Sequence, residues 1–136
     1  MNYVRQLDKT REEKPLLFSY RRCPYAMRAR MALLSCDIDF DIYEISLKDK
    51  PKQMIEISPK GTVPVFVCKE LILDESIDIM NWAMKQQNNN SVQINPHDLA
   101  IIKSMIKIND GEFKKKLDLY KYTSNKELSL KIRYRK

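Results

Sequence analysis

RRCPYAMRARMALLSC, residues 21–36, follows directly on the apolar run PLLFSY, residues 15–20. Met27, Ala29, Met31, Ala32, Leu33 and Leu34 are helix formers, and Pro24 suits a first helical position, where its missing N–H would have had no partner. The bounded apolar run reads as a buried strand, and the stretch after it as a helix beginning at Cys23 or Pro24. Cys23 then sits where free backbone N–H groups and the positive end of a helix dipole meet, with Arg21, Arg22 and Arg28 nearby in sequence. Such a place favours a thiolate.

Beyond that helix, DFDIYEIS at 39–46 sets Phe40, Ile42, Tyr43 and Ile45 among acids and reads as a second strand. LKDKPKQMIEISPKG at 47–61 reads as a loop, a short helix from Pro51, and a stop at Ser58-Pro59. TVPVFVCK at 62–69 is a β-branched strand whose Pro64 cannot donate to a ladder, so it belongs at the first position or at a special turn. ELILD at 70–74 follows closely enough to form a hairpin with it. ESIDIMNWAMKQQ spaces Ile77, Met80, Trp82, Ala83 and Met84 as a helix does, with Asp74 as its N-cap.

Residues 1–14 have no apolar period and read as a flexible leader; 15–86 form one domain, 87–95 a polar linker, and 96–136 a partial helical domain with a break near Gly111. The order βαβ then ββα is an α/β, thioredoxin-like layout, a four-stranded mixed sheet with helices on both faces, followed by a truncated all-α region.

Composition narrows the function. The 136 residues include only 2 glycines, which leaves no glycine-rich phosphate loop and no nucleotide site of that kind. The 3 cysteines and lone His97 lack zinc-ligand spacing, and no Ser-His-Asp or Cys-His arrangement is offered, so no metal is expected. No run of about 18 apolar residues exists, and the N-terminus is charged where a signal peptide needs an apolar stretch; no membrane role and a cytoplasmic location follow as expectations. Of the net charge of +7, residues 1–94 carry +1 and residues 95–136 carry +6. Tyr122 and Tyr134 interleave with that basic tail as they would along a phosphate backbone, but no folded recognition module accompanies them, which disfavours a nucleic-acid partner.

Three features carry chemistry. At Cys23 the second cysteine of a Cys-x-x-Cys pair is replaced by Ala26, so any disulfide intermediate must recruit an outside thiol. Cys36 and Cys68 read instead as small buried hydrophobes. Thr62-Val63-Pro64 opens a strand; with a cis Val63-Pro64 bond, the Val63 N–H and C=O would turn outward and pair with a peptide-like ligand. Glu75 and Ser76 at a helix start suit a zwitterionic amino-acid end, Ser76 with the free N–H groups holding a carboxylate and Glu75 an ammonium, although acids in a first helical turn are also ordinary structural features.

Together these segments resemble the glutathione S-transferase superfamily, its cysteine-type, omega-like bacterial members in particular. The matching stretches are Cys23-Pro24-Tyr25-Ala26 with Arg28 and Arg30, Lys48-Asp49-Lys50-Pro51, Ser58 through Val65, and Leu73-Asp74-Glu75-Ser76. The resemblance implies that Cys23 is the catalytic thiol, Lys50 meets the glycine carboxylate of glutathione, Val63 before Pro64 pairs with the cysteinyl backbone, and Glu75 with Ser76 holds the γ-glutamyl end. Glutathione is the implied co-substrate, with a small electrophilic or disulfide second substrate. Ser19 and Tyr20 lie near the position where other branches use a hydroxyl. The cysteine branch tends to form a mixed disulfide, favouring thiol transfer over conjugation. The family's helical domain is normally the larger one and is short here, leaving apolar faces that invite self-association, as in a homodimer. The rival readings are a non-catalytic glutathione- or protein-binding module and a nucleic-acid-associated protein using the tail.

Overall fold

A computed structural model of the chain describes residues 1–4, 14–86 and 95–122. Two compact units divide it, residues 1–91 and 92–136. Among the described residues the first unit contains strands β1 (Asn2–Val4), β2 (Leu16–Ser19), β3 (Asp41–Glu44), β4 (Val65–Cys68) and β5 (Leu71–Leu73), with helices α1 (Pro24–Ser35), α2 (Lys52–Ile57) and α3 (Ser76–Gln86).

The α1 crossover makes β2 and β3 parallel, from Leu16 opposite Asp41 to Ser19 opposite Glu44. β4 runs antiparallel to β2 and β5 antiparallel to β4, as the hairpin reading requires. Neighbouring strand residues point to opposite faces, and the core divides accordingly. Leu17, Ile42 and Phe66 meet Ala29 and Leu33 of α1 and Ile79 and Ala83 of α3. Phe18 and Val65, with Ile45, meet Met54 of α2 on the other face. Phe66 and Trp82 stack at 4.9 Å between ring centres. Each fully buried large side chain, such as Leu17, Phe18 and Phe66, contributes about 1.5–3 kcal/mol to holding the sheet that carries the Cys23 and Val63 loops.

Among the described residues the sheet has five strands rather than four, in the order β1-β3-β2-β4-β5. Asn2–Val4, inside the stretch expected to be a flexible leader, pairs parallel with Asp41–Tyr43 and covers the edge of β3. A three-residue edge strand with mostly exposed side chains shows no hydrophobic period, which is why the sequence did not reveal it. It is fastened by charge: the Met1 amino group lies 3.0 Å from Asp39, and Lys14 lies 3.0 Å from Asp39 and 3.1 Å from Asp41. These contacts hold the Asp39 carboxyl below its ordinary range and raise the Lys14 ammonium. The pairing is therefore present at neutral pH, lost on the acid side as Asp39 protonates and on the alkaline side as Lys14 loses its proton. Residues 5–13 lie outside the described residues, as do most of the linker (87–94) and the tail (123–136).

Two smaller corrections concern helix ends. α3 begins at Ser76 and the Ile79 N–H donates to the Glu75 carbonyl at 3.1 Å, so Glu75 holds the cap position expected of Asp74. Asp74 instead accepts the Ser58 hydroxyl at 2.8 Å. In the second unit α4 (Pro96–Ile108) is capped by the Asn95 side chain, which accepts from the Asp98 N–H at 2.8 Å. The break expected near Gly111 is a π-helical turn, Asn109–Phe113, through which the helix runs on into α5 (Lys114–Tyr122). One glycine costs a helix only about 1 kcal/mol, and a widened turn absorbs it without interruption. Met105, Ile108 and Phe113 on these helices are exposed. No helix among the described residues is long and apolar enough to cross a membrane.

Candidate functional site

Cys23 occupies the N-cap position of α1 in extended backbone, and its side chain makes no capping bond. Its carbonyl accepts the Met27 N–H at 2.9 Å, and its N–H donates to the Tyr20 carbonyl at 3.0 Å. The helix start thus takes only the backbone of Cys23 and leaves the thiol for other work. The half-buried Sγ lies 3.6 Å from the Val63 carbonyl oxygen, to which the thiol donates. The Val63-Pro64 bond is cis, and β4 begins directly after it. Of the two Val63 groups expected to face a ligand, the carbonyl is therefore engaged by Cys23 in the free protein. The N–H makes no hydrogen bond among the described residues.

Arg30, two helical turns beyond Cys23, reaches back along α1 and braces the turn before it. Its guanidinium donates to the Ser19 hydroxyl, to the Tyr20 carbonyl at 3.5 Å and to the Arg21 carbonyl at 3.2 Å. The Arg21 N–H donates to the Glu44 carboxylate at 2.6 Å, which ties the same turn to the end of β3. Ser19 is fully buried in this brace, so its hydroxyl serves the scaffold.

Arg28 links α1 to α3. Its Nε donates to the Ser76 hydroxyl at 2.8 Å, and its guanidinium lies 4.9 Å over the Tyr25 ring. Ser76 is only 2% exposed, with its oxygen already accepting, and what it retains for a ligand is its hydroxyl proton. Beside it the Glu75 carboxylate pairs with Lys60, whose ammonium also donates to the Asp74 carbonyl at 3.2 Å. Glu75 raises the Lys60 ammonium by accepting its hydrogen bond.

Gly61 joins these pieces. It has φ +63, its N–H donates to the Ser58 carbonyl at 3.0 Å, and an added Cβ would stand 3.3 Å from Ile55 and 3.8 Å from the Lys50 Nζ. Lys50 thus lies beside the loop that leads into Val63. Gly61→Ala is expected to cost about 1–2 kcal/mol of unfolding free energy, the penalty of a left-handed L-residue, measured as a lower midpoint in urea.

The structure therefore brings Cys23 to Val63 and Pro64, places Lys50 against the same loop, and ties Glu75 to it through Lys60 and Ser76 to α1 through Arg28. Cys36 and Cys68 pack against the core, and burial with the Asp37 charge pushes the Cys36 thiol up. The sequence showed Arg28 only as nearby positive charge and a motif residue, Arg30 only as a motif residue, and gave Lys60 no role. Among the described residues no group of three or more His, Cys, Asp and Glu could hold a metal ion.

The family model for the glutathione S-transferase N-terminal domain matches residues 17–91. The chain belongs to the glutathione S-transferase superfamily. Relatives of this chain include a probable maleylacetoacetate isomerase of Caenorhabditis elegans, 29% identical over 72 residues, or 52% of this chain and 34% of that protein. It is also similar to glutathione S-transferase omega-1 of Mus musculus, 41% identical over 49 residues, or 36% of this chain and 20% of that one. The fold matches glutathione transferase Omega 3C from Trametes versicolor with a TM-score of 0.76 at 18% identity, covering 90% of this chain and 56% of that one. The chain thus spans about a third of the worm protein, a fifth of the mouse protein and just over half of the fungal chain.

Proposed function

We propose that this chain carries out glutathione-dependent thiol transfer of the cysteine type, with Cys23 as the reacting thiol. The observation that carries the reading is the 3.6 Å approach of the Cys23 Sγ to the Val63 carbonyl. It joins a thiol at a helix N-terminus to a backbone edge suited to an extended peptide.

Glutathione offers one thiol, two carboxylates and one ammonium. Lys50 meets the glycine carboxylate, the Val63 N–H pairs with the cysteinyl carbonyl, Glu75 accepts the α-ammonium, and the Ser76 hydroxyl donates to the γ-glutamyl carboxylate. The Cys23 thiolate attacks the glutathione sulfur of a mixed disulfide. The Cys23–glutathione disulfide forms as the substrate's S–S bond breaks, and the substrate leaves as a thiolate that takes a proton from water. A second glutathione thiolate then attacks the glutathionyl sulfur, which frees the Cys23 thiolate and yields glutathione disulfide. Per cycle the substrate disulfide is reduced to a thiol, one free glutathione is consumed, and one glutathione disulfide leaves, with no metal or nucleotide in the chemistry. The cytoplasm, rich in reduced glutathione, is the compartment that drives this cycle, and the exposed apolar positions of α4 and α5 suit pairing into a homodimer.

The test is steady-state reduction of a glutathionylated small thiol with glutathione as the only reductant. The expected result is turnover with parallel-line, ping-pong kinetics in the two substrates. A rate equal to the reaction without protein would overturn the proposal.

A further inference from the structure

We propose that Lys60 is a specificity-determining residue that, together with Glu75, reads an α-ammonium and an α-carboxylate carried on the same carbon. This inference rests on the glutathione reading of the site and assigns a residue to its recognition end.

Lys60 is fixed by its surroundings. It lies between Ser58, whose hydroxyl donates to Asp74 at 2.8 Å, and Gly61, whose left-handed backbone closes the turn. Its ammonium spends one donor on the Glu75 Oε1 and one on the Asp74 carbonyl, 3.2 Å away. The ammonium also stands 3.8 Å from the Asp74 carboxylate, an ion pair beyond hydrogen-bond length, so of its three donors one N–H, with the Oε2 of Glu75, can turn to a ligand. Both side chains are reachable from solvent, at 40% and 62% exposure.

The charges explain the need for it. Without Lys60, Asp74 and Glu75 would present two negative charges where a ligand must bring a carboxylate. With Lys60 in place, the opposite ends of a zwitterion each find a partner of opposite sign, the ammonium at Glu75 and the carboxylate at Lys60. A ligand that keeps the ammonium but lacks the carboxylate still finds Glu75 and Asp74, but gives the remaining Lys60 donor no partner. The pair thus discriminates between whole amino-acid ends and simple amines through a contact that only the carboxylate can make.

The experiment compares S-methylglutathione with its analogue lacking the α-carboxylate, S-methyl-γ-aminobutyryl-cysteinylglycine, by titration calorimetry on the full chain and on Lys60→Met. The full chain should prefer the intact ligand by roughly 10-fold, and Lys60→Met should shrink that preference to about 2-fold by weakening the intact ligand alone, on the scale of one charge-assisted contact. Lys60→Arg, which keeps the charge, should retain most of the preference, and Lys60→Gln repeats the comparison should the methionine variant not fold. Equal shifts for both ligands would overturn the assignment, since a merely structural lysine cannot tell them apart. Tighter binding of both ligands to Lys60→Met would also overturn it, by showing that Lys60 competes for Glu75. Failure of the unaltered chain to bind S-methylglutathione at all would instead refute the glutathione reading beneath it.

Discussion

A Cys23→Ser chain is expected to reduce a glutathionylated substrate at least ~10³-fold more slowly than the unaltered chain, because the step needs a sulfur that forms and releases a disulfide. The hydroxyl of serine can do neither. The loss should come without a loss of fold. The Cys23 backbone makes the helix-start hydrogen bonds, its side chain makes no capping bond, and its contact with the Val63 carbonyl is a long S–H bond at 3.6 Å. Urea midpoints of the two chains should therefore agree closely. Cys36→Ser and Cys68→Ser should keep the turnover, since neither thiol stands at a helix start or faces Val63. Activity that survives in Cys23→Ser would place the chemistry elsewhere.

The second large effect is expected at Arg28. Its Nε–H to the Ser76 hydroxyl, at 2.8 Å, is a charge-assisted bond to a side chain almost wholly removed from water. Arg28→Met should lower the unfolding free energy by about 2 kcal/mol, the usual worth of a hydrogen bond to a charged group, as read by urea denaturation. It should also weaken glutathione by roughly 10-fold, because the Ser76 hydroxyl then loses the donor that turns its own proton toward a ligand. Ser76→Ala in the Arg28→Met background should add little further loss in affinity, as expected of two residues acting through one contact. Additive losses would show that Arg28 supports only the packing of α1 on α3.

The parts of the molecule that could be read from the sequence are those with local signals. The run from Leu16 to Ser35 announces its strand, turn and helix through a bounded apolar stretch and a proline at N1, and the structure places Pro24–Ser35 in α1. The hairpin of β4 and β5 and the short helix ending at Ser58 follow from equally local features. β1 escaped because three residues on a sheet edge leave no period to detect, and its partner β3 lies far along the chain. The π-helical turn escaped because Asn109 and Gly111 look like a stop until tertiary geometry allows a wider turn.

The candidate site shows the same division. Cys23, Val63 and Pro64 were legible as motif residues, and the structure brings them together. The contacts of Arg28, Arg30 and Lys60 were not legible, because their partners lie 48, 11 and 15 residues away. Side chains that brace a site through such contacts leave no spacing rule in the sequence. Ser76 illustrates the consequence: it was identified as a ligand group, whereas its burial and its bond to Arg28 emerge only from the packing of α1 on α3.

The most direct measurement is intact mass and peptide mapping of the chain after incubation with glutathione disulfide. One glutathionyl group on Cys23, removed again by free glutathione, is the expected result. Absence of the adduct from Cys23, or equal labelling of Cys36 and Cys68, would contradict the assignment of Cys23 as the reacting thiol.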